Sequence, residues 1–179
     1  MSPNTSMIKH ILKYGVIFGI LCATSGFSFY ISGNYGKYRT LHFFILLTLT
    51  ISSIFYALNS FKNKNKENLN LTQALIVGIG ISIFGGLIPT IWEIVLIKII
   101  EPEIITQIID DQFKRLTESS SDLNEAAINR KIVITKNVKS PIGMLTIGII
   151  EDLIVGFFIS LIIGLILRKK QITLNNISE

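Results

Sequence analysis

The sequence predicts an all-α integral membrane protein: a four-helix bundle with an extramembrane helical hairpin between the third and fourth spans. Three observations predict it. Of the 179 residues, 49% are hydrophobic and 16% charged, with mean hydropathy +0.55, whereas soluble domains carry about 25% charged residues. The apolar residues fall in four long blocks, each about as long as the roughly 20 residues a spanning helix needs. The basic residues flank those blocks, as membrane orientation requires.

The first run covers about residues 14–32. Lys9 and Lys13 precede it, and Ala23-Thr24-Ser25 offers a cleavage site, so it reads as a retained helix or as a signal peptide. The apolar run continues as GFSFYIS, past the usual end of a signal core, which favours retention. Leu21 before Cys22 is too large for a lipoprotein signal. The second run covers about 41–58, the third 71–100 and the fourth 142–167. The last two exceed the bilayer's need, so they are expected to tilt or to project into water. Pro89 is expected to kink the third and free a backbone carbonyl.

Orientation follows from Lys and Arg. Lys9, Lys13, Lys62, Lys64, Lys66, Arg168, Lys169 and Lys170 all fall on one side of an even number of spans. The first loop holds only Lys37 and Arg39. The positive-inside rule then places both termini in the cytoplasm of a bacterial inner membrane. Tyr30, Tyr35, Tyr38 and Trp92 fall at the outer interface and Tyr14 and Tyr56 at the inner one, as an aromatic belt.

Residues 101–140 are the one sizeable extramembrane part of a single membrane domain spanning 1–179. Pro102 suits a first helical turn, and Ile105, Ile108, Ile109, Phe113 and Leu116 recur near helical spacing. SSSD breaks that pattern. Asp122 with Glu125 resembles a capping box opening a second helix with Leu123, Ala126, Ala127 and Ile128. The apolar stripe of this hairpin packs on itself, lies on the membrane surface, or meets a partner.

The order of these segments resembles the bacterial membrane family called domain of unknown function 4199. The resemblance is carried by IKHILKYGVIFGI at the start, the basic stretch after the second span, and TQALIVGIGISI opening the third. It continues with IIEPEI leaving that span, a charged helical segment, and GIIEDLIVGFFISLIIGLILRKK at the end. It covers nearly the whole chain, through order and spacing rather than any single specific motif. An acidic residue some five positions before a glycine recurs in the family's last span, and Glu151 with Gly156 fits. This chain departs by adding Asp152 and by lacking a proline that often follows the acid. The resemblance implies four spans and a helical insertion, and it implies no activity.

Residues four apart share a helix face. In the fourth span one face reads Gly148, Asp152, Gly156, Ser160, Gly164. In the third it reads Ala74, Gly78, Ser82, Gly86, with Glu93 further on, and the first span offers Gly15, Gly19 and Ala23. Small stripes let helix backbones approach, and close packing drives helix association in lipid. Asp152 lies on its stripe and should face other helices, while Glu151 is rotated by about 100° toward the edge or the lipid. Asp152 precedes Arg168 by 16 residues, about 24 Å of helix, which places it in the outer part of an apolar layer about 30 Å thick. His42 opens the second span, and Glu93 lies about 30 Å from Gln73, near the outer boundary. Asp152, Glu151, Glu93 and His42 are therefore the candidate intramembrane polar cluster. A lone charge in hydrocarbon costs about 3 kcal/mol or more, so such an acid is a functional candidate. The two adjacent acids need not both be charged, because repulsion and desolvation oppose it. An interfacial anchor or an interhelical hydrogen bond is the structural alternative to a proton or cation site.

Enzyme motifs are absent from the sequence: there is no HExxH, no GxSxG and no P-loop. Cys22 is the only cysteine, and neither His10 nor His42 has metal-ligand spacing. No catalytic residue, metal or cofactor is expected. The basic residues sit beside apolar runs rather than on a soluble face, so nucleic acid is not an expected partner. The expected partners are the lipid bilayer and either an unidentified protein or further copies of the chain. The expected role is a non-enzymatic accessory or interaction protein, with a proton- or cation-handling carrier subunit as the alternative.

Overall fold

A computed structural model describes residues 3–33, 38–65, 69–107, 109–110, 114 and 125–177. Helices α1 (Pro3–Ile31), α2 (Arg39–Lys64) and α3 (Leu71–Val95) come first, and α3 passes into a π-helical turn at Leu96–Ile100. A short helix α4 follows at 103–107, with 109–110 also helical. Then come α5 (Glu125–Val138) and α6 (Pro141–Ile177). Among the described residues four segments are long and apolar enough to cross a membrane: Ser6–Ile31, Thr40–Lys64, Leu71–Ile100 and Pro141–Arg168. The all-helical architecture, the four spans and the short helices between the last two match the sequence expectation. The SSSD break and the Asp122 side of the capping box lie outside the described residues.

The helices outrun the apolar blocks. α1 begins at Pro3 rather than near Tyr14, and α6 continues past Leu167 to Ile177. Apolar runs report where side chains tolerate lipid, but the i→i−4 ladder needs no apolar side chains and continues into water. α3 runs through Pro89 to Val95.

Local chemistry marks the starts. The Asn70 N–H donates to Gln73 Oε1 at 3.1 Å, and Ala74 N–H to Asn70 O at 3.0 Å, half of a capping box at the head of α3. Ser140 accepts from the Gly143 N–H through Oγ at 3.1 Å, with Pro141 in the first turn, where its missing N–H costs nothing. Hydroxyls inside the spans bond back to the preceding turn: Thr24 to Ile20 O, Ser28 to Thr24 O, Thr48 to Phe44 O and Thr50 to Leu46 O, each at 2.8 Å. These bonds let polar side chains sit in hydrocarbon.

The described chain forms two compact units, Met1–Pro89 with Ile149–Glu179, and Thr90–Gly148. The core of the first joins Ile11, Phe18 and Cys22 of α1, Ile54, Ala57 and Leu58 of α2, Ala74, Val77 and Ile81 of α3, and Ile163 and Leu167 of α6. In the most apolar 18 residues of each span only 22–39% are buried. Lipid is as apolar as these side chains, so close packing rather than the hydrophobic effect holds the unit together. In the second unit Leu96, Ile97, Ile104 and Met144 are buried. There Gly143 lies under the last carbonyls of α5. A Cβ at Gly143 would collide with Asn137 O and stand 2.8 Å from Val138 O, so a side chain would block the turn into α6.

Candidate functional site

The first unit is organised by a seam between α3 and α6. Ala74 Cβ stands 2.8 Å from where Gly164 would carry a Cβ. Ser160 Cβ fills the corresponding space at Gly78, and Ser82 Oγ and Cβ lie 2.6 and 2.7 Å from that of Gly156. One turn on, the Asp152 carboxylate occupies the space over Gly86. Each step of four residues along α3 thus meets a step of four back along α6, an antiparallel register of small against small. Ser82 is 1% exposed and Ser160 is fully buried. Within the second unit, Gly148 faces Thr90, whose Oγ1 is 3.1 Å from its would-be Cβ.

A second seam joins α1 to α3. A Cβ at Gly15 would stand 3.3 Å from Phe84 Cβ and 3.5 Å from Gly85 N, and one at Gly19 would stand 2.5 Å from Gly85 O. A Cβ at Gly85 would in turn collide with the Phe18 ring and stand 2.8 Å from Gly15 O. Pro89 has no N–H to give Gly85 O, four residues earlier. The α1 backbone closes on that carbonyl at Gly19, an arrangement suited to a weak Cα–H···O contact. Gly85 and Gly86 are adjacent in the chain and rotated by about 100°, so one faces α1 and the other α6. The GG doublet was the available sequence signal for this two-sided contact, and the four-residue pattern alone misses Gly85 and Phe18.

Asp152 is half-buried where α1, α3 and α6 meet. Its carboxylate lies over the Gly86 backbone, and its charge reaches the buried Cys22 thiol on α1 and the Glu151 carboxylate beside it. Cys22, the only cysteine of the sequence, is thus a neighbour of the acid. Glu151 is exposed on the outer face of α6. The ring of His42, at the head of α2, tilts against Phe29 of α1 with centroids 4.8 Å apart. Glu93 belongs to the second unit, where its Oε1 accepts from Lys139 Nζ at 2.9 Å. Among the described residues no group of three or more His, Cys, Asp or Glu side chains is arranged to hold a metal ion.

No curated protein and no solved structure matches the chain. A family model described as "Protein of unknown function (DUF4199)" matches residues 13–169, from the first span to the basic end of the last. This multi-pass membrane protein, with its four apolar helices, belongs to the DUF4199 family.

Proposed function

We propose that the protein is a non-enzymatic accessory or interaction protein of the bacterial inner membrane. In this reading both termini are cytoplasmic and residues 101–140 stand outside. The observation that carries it is the α3–α6 seam. Ala74, Gly78, Ser82 and Gly86 are each closed by a group from α6, so the small stripe is used up in holding helices together. The outward faces are open: Phe43, Phe44, Phe55 and Tyr56 of α2 and Phe158, Ile162 and Ile166 of α6 are exposed large apolar side chains. Such faces contact lipid or another membrane protein. The test is purification of the full chain in mild detergent after crosslinking in native membranes. A stoichiometric complex of defined mass, with another protein or with further copies, is the expected result. A strictly monomeric chain in both conditions overturns the reading.

A second reading is favoured by one observation: the Asp152 carboxylate belongs to the fourth candidate span and lies where three helices meet, close to Glu151 and Cys22. An intramembrane acid at a helix junction is a site for a proton or a small cation. In this reading the chain is a carrier subunit. Proton or cation flux into liposomes that Asp152→Asn abolishes, with the bundle still folded, supports it. Equal flux in both proteins, or none in either, removes it.

A further inference from the structure

We propose that the basic end of the first unit is a binding site for the phosphate of an anionic phospholipid, held between α1, α2 and the C-terminal part of α6. The site is built from both its polar and its aromatic groups. His10 Nε2 lies 2.9 Å from Ala57 O and locks α1 to α2. The His10 ring packs against Tyr14 (4.6 Å) and edge-on to Phe61 (5.4 Å). Lys13 Nζ stands 5.7 Å from the Tyr14 ring centre, and Lys13 and Lys64 both lie within electrostatic range of His10. Lys62 is the unusual member. It is 6% exposed, and its Nζ reaches across to α6 and donates to Leu167 O at 3.4 Å, beside Arg168.

Orientation rules account for lysines at this end of the spans. They do not account for an ammonium turned into the protein. An ammonium has three donors, and among the described residues Lys62 uses one, on a neutral carbonyl at long range. The described acids of this unit are Glu151 and Asp152. They precede Arg168 on α6 by 17 and 16 residues, about 24 Å or more along the helix. With Lys13 about two turns inside the span that opens at Ser6, the cations Lys13, Lys62, Lys64 and Arg168 are thus left without a described carboxylate, and Lys62, Lys64 and Arg168 stand at the ends of the spans that close at Lys64 and Arg168. That is the depth of the lipid phosphates. Exposed Leu12 and Val16 of α1 and Leu165 and Ile166 of α6 continue from this end into the apolar layer, where acyl chains lie. Basic pockets between membrane helices of this kind take anionic headgroups. The charge and the adjoining apolar faces point to a lipid rather than to free phosphate.

The experiment reads lipid retention by the full chain, reconstituted in bilayer discs of phosphatidylcholine with or without phosphatidylglycerol, then extracted into mild detergent and weighed intact. Phosphatidylglycerol is expected to stay bound preferentially. Its affinity should fall about fivefold for each lysine lost in Lys62→Gln, Lys64→Gln and Lys13→Gln. Lys62→Arg keeps the charge and should keep the lipid, while Lys131→Gln on α5 should change nothing. If Lys62→Gln fails to fold, the exposed Lys64 and Lys13 variants decide alone. Equal retention of both lipids, or an equal loss in Lys131→Gln, overturns the proposal. So does thermal protection in detergent by inorganic phosphate without a phosphatidylglycerol preference, because the anion is then free phosphate.

Discussion

The carboxylate of Asp152 fills the space that a side chain at Gly86 would need. The acid and the glycine are therefore one feature on two helices. A bulky group on α3 would displace the acid, and a bulky apolar residue at 152 would meet backbone. This pairing yields the first prediction. Gly86→Ala is expected to destabilise the bundle by about 1–3 kcal/mol, the usual cost of overpacking a tight interface. Asp152→Ala removes the obstacle, so the double variant should recover most of the loss. Unfolding in mixed detergent micelles checks it through a double-mutant cycle. Additive effects of the two changes count against the pairing.

The glycines of the seams should differ in their tolerance of alanine. At Gly78 an added Cβ collides with Ser160 Cβ on the facing helix, whereas at Gly15 its nearest neighbour is Phe84 Cβ at 3.3 Å. Gly78→Ala should lower stability by about 1–3 kcal/mol, and Gly15→Ala by less than 1 kcal/mol, because a few tenths of an ångström of adjustment suffices there. Thermal unfolding of the two variants in the same detergent gives the ranking. The reverse order would show that α1 rather than α6 makes the tighter contact with α3.

The Glu93–Lys139 bridge, at 2.9 Å, is partly open to solvent, with side chains 27–35% exposed. Screening discounts such a pair to about 0–1 kcal/mol. Glu93→Gln is expected to cost no more than that, with the difference shrinking as salt rises. Glu93→Lys with Lys139→Glu should restore the wild-type value. A loss above about 2 kcal/mol in Glu93→Gln would mean that the carboxylate carries more than this bridge.

Ser140 caps α6 through its bond to the Gly143 N–H. Ser140→Ala should cost about 0.5–2 kcal/mol. The effect is local, so amide exchange should speed up in the first turn of α6 and stay unchanged around Gly156. Ser140→Asp should hold the protection, since aspartate caps as well as serine. Uniformly faster exchange along α6 would assign Ser140 a wider role.

Four apolar blocks of membrane-spanning length, with basic residues between them, were enough to read an all-helical four-span protein, because lipid admits little else that satisfies every backbone group. The four-residue spacing also marks the small faces, since helix periodicity is a property of the local chain. Which face meets which is decided by tertiary packing. Nothing local pairs Gly78 with Ser160 or Gly86 with Asp152, or turns Gly85 toward α1 while its neighbour turns toward α6. The surroundings of the polar residues were hidden for the same reason. His42 meets Phe29, Glu93 meets Lys139, and Lys62 bends inward to Leu167, all through contacts between residues distant in the chain. Charge, hydropathy and period are written along the chain, and partners between helices exist only once those helices have closed on one another.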